Sequence, residues 1–124
     1  MKVVIAGGRD LHPSYRELRN IIKLSGFSIS YIISGMASGV DTVGWNYAGE
    51  YWIPRLPFPA DWSLGRKAGH LRNKEMAEAG DALIAIWDGK SPGTRNMINQ
   101  MKKLGKPVYI YRWDRYQYKM TQNI

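Results

Sequence analysis

The feature that most limits what this chain can fold into is a strand-sized apolar run that ends in glycine, met three times. Val3-Val4-Ile5-Ala6 leads into Gly7-Gly8-Arg9-Asp10, Ile32-Ile33-Ser34 into Gly35, and Ile84-Ala85-Ile86-Trp87-Asp88 into Gly89. Short β-rich runs without polar alternation are the pattern of parallel strands covered on both faces. Glycine at their ends permits a tight turn and leaves room for a ligand to approach the backbone. Three polar, glycine-bearing loops are therefore expected along one carboxyl edge of one sheet, where open α/β folds bind their ligands.

The intervening segments complete the pattern. Ser14 is an N-cap with Glu17 three residues on, and Leu18, Ile21, Ile22 and Leu24 form the apolar face of a first helix that Gly26 stops. Ser28 to Ser34 reads as the second strand. Ser34-Gly35-Met36-Ala37-Ser38-Gly39-Val40-Asp41 then opens into a helix running through Trp45 and Ala48. Trp52 to Pro59 is a short strand whose prolines place it near a sheet edge or near its own ends. A long polar, basic connection from Ala60 leads through His70 into a helix reaching Met76, and a long ordered loop in so small a fold is more often functional than idle. Ala82 to Trp87 is a central strand. Pro92 begins a helix through Met97, Ile98, Met101 and Leu104, Gly105 closes it, and Pro107 to Tyr111 supplies the last strand. The sum is an α/β domain over residues 1–111 with a mostly parallel sheet of about five strands, followed by a basic, aromatic extension over 112–124.

Composition narrows the chemistry. With no cysteine, thiolate nucleophiles and thiolate metal sites are excluded, and His12 and His70 alone are a poor basis for a metal centre. No apolar run approaches the roughly 18 residues of a membrane span, and the N-terminus lacks signal-peptide character, so a cytoplasmic protein is expected. The formal net charge of +8 favours anionic partners, namely nucleic acid, nucleotide or phosphate, although a generic basic surface would carry the same charge.

The helix starts beyond the glycine turns would favour an anion through their unpaired N–H groups. Asp41 would repel a phosphate bound beside it, so it is assigned to capping or to a sugar hydroxyl. Gly89-Lys90-Ser91 invites a P-loop reading, but that motif needs a glycine five positions before Gly89, where Ile84 stands. The dinucleotide fingerprint also fails, because Gly7-Gly8 has the wrong spacing and no acidic residue ends the second strand.

Taken together and in order, Gly7-Gly8-Arg9-Asp10, Ser34 to Asp41, Pro59-Ala60-Asp61-Trp62, Gly65-Arg66-Lys67-Ala68-Gly69, Arg72-Asn73-Lys74-Glu75-Met76 and Asp88 to Thr94 resemble the YspA-type, cpYpsA-related group of the SLOG superfamily across nearly the whole chain. The resemblance implies a Rossmann-like three-layer fold that holds a nucleotide-derived ligand, with no further cofactor required. Small stand-alone members of the group also occur on phage genomes. By position, Gly7, Gly8 and Arg9 would form the first loop, Ser34, Gly35 and Gly39 the second, and Gly89, Lys90, Ser91, Gly93 and Thr94 a phosphate cradle. Arg72, with Asn73 beside it, would reach into the crevice from the start of its helix, and Asp61 and Trp62 would flank it.

Bland readings stand beside these. Asp61 and Asp88 suit turns, Trp62 suits the core as well as a base stack, and Trp45 and Met97 suit the core or a subunit interface. LOG-type phosphoribohydrolases, a related group, carry a catalytic Glu where this chain has Met97, and a thioether can neither activate water nor stabilise positive charge. The reading favoured is a sensor or sequestering protein for a nucleotide or an ADP-ribose-like signal, forming a homo-oligomer by analogy. A nucleotide hydrolase using Asp10, Asp41 or Asp61 is the alternative. Third comes a single-stranded DNA binder, through similarity to the Rossmann domain of the DNA-processing protein A family.

Overall fold

Apolar side chains at alternate positions of the strands divide into two sets, and these sets define the layers. The computed structural model of the chain describes residues 1–114. In it Val3 and Ile5 of β1 (Lys2–Gly7) pack with Ile32 of β2 (Tyr31–Ser34) and with Ala82, Ile84 and Ile86 of β4 (Ala82–Trp87) against α1 (Tyr15–Ser25) and α2 (Val40–Glu50). Val4, Ala6, Ile33, Leu83 and Ala85 face the other way, onto Met76 and Ala77 of α3 (Ala68–Ala79) and Met97, Ile98 and Met101 of α4 (Pro92–Lys103). The sheet is thus covered on both faces, as its unbroken apolar runs require.

With β3 (Arg55–Pro57) and β5 (Val108–Arg112) the sheet has five strands in the order β3-β2-β1-β4-β5, every pair parallel. The fold is a Rossmann-like α/β/α sandwich, and the chain reverses its direction of travel across the sheet between β1 and β4. Side chains such as Met97 and Met101, at 1% and 0% exposure, each contribute on the order of 1.5–3 kcal/mol by leaving water.

The local signals read from the sequence act as expected at the first helix. Ser14 Oγ accepts from Glu17 N at 3.0 Å, Glu17 Oε1 accepts from Ser14 N at 3.0 Å, and Gly26 ends the helix with φ +73°. Leu18 and Ile21 are buried but Leu24 is exposed, because it lies off the face that meets the sheet. The second strand begins at Tyr31 rather than Ser28, and β3 is an edge strand of three residues that follows Pro54 and ends at Pro57. The long connection folds as a 3₁₀ segment (Trp62–Lys67) broken by a kink at Gly65, none of it buried. Beyond residue 114 the aromatic, basic extension lies outside the described residues. Among those residues no helix is long and apolar enough to cross a membrane.

Candidate functional site

Because all five strands are parallel, their carboxyl ends share one edge, and a cleft of about 410 Å³ opens there where β1 and β4 lie side by side. This is the switch point at which open α/β sheets bind ligands. Its floor is formed by Gly7, Gly8, Asp41, Met76 and Met97, its walls by Arg9, Asp10, Trp62, Arg66 and His70, and one end by Gly93 and Thr94 with Arg72 and Asn73 beneath them.

The end at α4 has the character of an anion site. Asp88 Oδ1 accepts from both Lys90 N and Ser91 N at 2.8 Å, and these bonds, Ser91 first, hold its carboxyl below the ordinary range. Gly89 and Lys90 of that turn do not line the cleft. The cradle expected over residues 89–94 therefore narrows to its second half, Ser91, Gly93 and Thr94. The backbone N–H groups of Gly93 and Thr94 have no partner among the described residues, since the first bond closing this helix is Arg95 N to Ser91 O at 3.2 Å. Thr94 is 5% exposed and lines the cleft, onto which its hydroxyl, without a partner among the described residues, opens.

Arg72 lies one turn inside α3, not at its start, and is 9% exposed. Its Nη1 donates to Gly35 O and, at 3.5 Å, to Phe58 O, while its Nε donates to Asn73 Oδ1 at 3.0 Å. Asn73 Nδ2 donates onward to Gly93 O at 3.3 Å and Asn96 Oδ1 at 3.1 Å. One buried network thus ties the ends of β2 and β3 to the first turn of α4. Nη2 is the guanidinium nitrogen left without a protein partner among the described residues, on a side chain that lines the cleft. Burial pulls the Arg72 pKa down from its ordinary value and the nearby Asp41 opposes the shift.

Gly7, Gly8 and Arg9 of the first glycine loop line the cleft as expected, but the second loop works differently from the sequence expectation. Ser34, Gly35 and Gly39 do not line the cleft. A Cβ on Gly39, at φ +75°, would fall within 3.0 Å of the Gly8 and Arg9 carbonyl oxygens, and one on Gly35 would press on Arg72 Nη1 and Asp41 Oδ2. These glycines let two loops and a buried arginine interlock, so their lack of a side chain serves protein contacts. Ser34 is fully buried, its hydroxyl donating to Asp41 O at 2.9 Å and accepting from Met36 N at 3.1 Å. Met36 takes a left-handed φ of +62° to complete this turn. Gly8 N donates to Ile86 O, and Gly8 O accepts from Val40 N at the start of α2, which leaves that end of α2 less open to an anion than α4.

Asp41 is 5% exposed and faces the cleft, its Oδ2 accepting from Ala37 N at 3.2 Å. Burial pushes its pKa up to about 6 against the pull of the Ala37 N–H and Arg72. Asp61 also lies outside the cleft lining: exposed, it accepts from Ser63 N at 3.1 Å and Ser63 Oγ at 2.6 Å to cap the 3₁₀ segment. Trp62 is 59% exposed on the cleft wall with the Arg9 guanidinium 5.8 Å from its ring, which answers the choice between core and surface. Arg66 and His70 join the wall although the sequence reading set His70 aside. Arg66 reaches it from the 3₁₀ segment and His70 from the first turn of α3, a convergence visible only once the connection folds over the sheet edge. Met97 is buried and also meets the cleft floor, so α4 contributes no carboxylate to it. Among the described residues no three His, Asp or Glu side chains converge to hold a metal.

No family model matches the chain. It is similar to the Gene 61 protein of Mycobacterium phage D29, with 39% identity over 118 residues that span 86% of this chain and 93% of that protein. At that identity and coverage, the chain belongs to the family of the phage D29 Gene 61 protein.

Proposed function

We propose that the cleft binds a phosphate-bearing nucleotide derivative, with ADP-ribose-like molecules as the favoured class, and that the protein senses or sequesters it. One observation carries this reading. The hydroxyl of Thr94 and the Nη2 of Arg72 have no protein partner among the described residues, and both residues line the cleft together with Gly93, whose N–H is unpaired like that of Thr94 at the start of α4. Since no buried side-chain nitrogen or oxygen of the described residues lacks a partner, the two side-chain groups open onto the cleft, where a phosphate supplies acceptors for all of these donors. The remaining parts fit the same molecule: Asp41 accepts from sugar hydroxyls, and the Trp62 ring, exposed on the wall, stacks on a base. The YspA-like SLOG resemblance of the loops points the same way, and the phage relative is compatible with a protein that removes a signal from circulation.

The test is mass spectrometry of small molecules released from the purified, denatured protein, followed by calorimetry with mononucleotides, dinucleotides and ADP-ribose. Release of an intact nucleotide derivative, and loss of its rebinding in Thr94→Val, support the reading. No released molecule and no heat at millimolar ligand overturn it.

Asp41 favours a second reading as a hydrolase, because a buried carboxyl with a pKa near 6 in such a cleft serves acid-base chemistry near neutrality. Conversion of any member of the same panel by the wild type, abolished by Asp41→Asn, is the result that reading requires.

A further inference from the structure

We propose that a second face, at the end of α2 and along β3, binds single-stranded nucleic acid. It lies apart from the cleft and does not depend on the ligand proposed for it.

Trp52 is 93% exposed and sits at φ +58°, a left-handed backbone that costs a large side chain of its kind roughly 1 kcal/mol or more. Strain that serves to hold an indole wholly in water has no use in folding, where burial of the ring would be the favourable outcome. Beside it lies a shallow groove of about 380 Å³ lined by Gly49, Trp52, Ile53, Pro54 and Arg55. Arg55 is held ready across this groove: its Nη1 donates to Trp45 O at 2.9 Å and its guanidinium lies 4.1 Å from the Trp45 ring centre. Gly49 leaves the space it occupies, since a Cβ there would meet Nη1 at 2.7 Å. On the other side, the Arg19 guanidinium stacks 4.6 Å from the ring of Tyr51.

Two guanidinium groups, each stacked on an aromatic ring, thus accompany Trp52: Arg55 in the same groove, and Arg19 on Tyr51, its neighbour in the chain. Among the described residues the one ion pair is Arg112 with Asp114, so neither Arg19 nor Arg55 is neutralised by a carboxylate. Fixed cations between exposed aromatic faces are the recognition chemistry of a single strand, in which phosphates meet the cations and unpaired bases stack on the rings. Other occupants fit less well. A second copy would bring arginine against arginine on a chain of net charge +8. An added β-strand would find Pro57, which has no amide donor, on the free edge of the three-residue β3.

The experiment is fluorescence anisotropy of a labelled oligo(dT) of about 20 nucleotides, titrated with the full-length protein over a series of salt concentrations. Binding at low salt is expected to weaken about tenfold or more in Trp52→Ala and Trp52→Gly. The glycine variant suits the left-handed backbone, so it separates loss of the ring from loss of the fold. Arg55→Gln is expected to lower the slope of log affinity against log salt by about 0.7. Binding of the cleft's ligand stays unchanged in all three variants. The proposal is overturned if no oligonucleotide binds at low salt, or if binding persists in both Trp52 variants, which would place the strand elsewhere. It is equally overturned if Trp52→Gly alters only the oligomeric state or the capture of an acidic protein.

Discussion

Replacing Asp41 by asparagine will stabilise the folded protein at neutral pH, and the size of the gain will depend on pH in a defined direction. In the unfolded chain this carboxyl titrates near 3.8, and in the fold burial raises it to about 6. The folded state therefore binds more protons than the unfolded state between those two values, so stability contributed through this group falls as pH rises from 3.8 to 6 and stays low above it. At 1.36 kcal/mol per pH unit, that interval corresponds to roughly 3 kcal/mol. Asparagine copies the neutral form and keeps an oxygen for the Ala37 N–H. The difference between Asp41→Asn and wild type will grow from near zero at pH 3.5 to about 3 kcal/mol at pH 8. With a urea slope of about 1.5 kcal/mol/M for a domain of this size, the midpoint will move by about 2 M. Urea unfolding at half-unit pH steps measures this directly. A pH-independent difference, or a wild type that gains on the variant as pH rises, would refute the reasoning by showing that Arg72 compensates the buried charge in full.

Three further perturbations probe the supports of the cleft. Gly39→Ala will cost about 3 kcal/mol or more, from a positive φ and contact with the Gly8 and Arg9 carbonyls, and a loss under 1 kcal/mol in thermal or urea unfolding will count against the interlocked loops. Arg72→Lys retains the charge but cannot reach Gly35 O, Phe58 O and Asn73 Oδ1 together, so about 2–4 kcal/mol will be lost and cleft affinity with it. An unfolding midpoint like the wild type's would show that the network is dispensable. Lys106→Met will cost about 1–2 kcal/mol, because Nζ donates to Ala77 O, Glu78 O and Gly80 O at 2.7, 3.0 and 2.7 Å at the end of α3. Hydrogen exchange will show the loosening confined to the last turn of α3, and protection equal to wild type there will refute it.

What the sequence determined by itself was every property carried by near neighbours. Short apolar runs named four of the five strands and a proline-bounded segment the edge strand, the Ser14 and Glu17 spacing with Gly26 bounded the first helix, and Pro92 and Gly105 bracketed the last. Parallel pairing followed because each strand is separated from the next by a helix, and from it the shared edge of the loops. Arg9, Trp62, Arg72 and Thr94, which the SLOG resemblance singled out, all line the cleft. Only the tertiary structure decided what each loop does. Glycine reads the same in one dimension whether it admits a ligand or a neighbouring carbonyl, and Gly39 proved to face Gly8 and Arg9 across 30 residues of chain. Arg72 reads as a charge for solvent or ligand, yet the fold buries it against the Gly35 and Phe58 carbonyls. Asp41 became a titratable group near neutrality for the same reason. Burial, and the pairing of groups distant in sequence, are set by how elements stack, and no local pattern encodes that stacking.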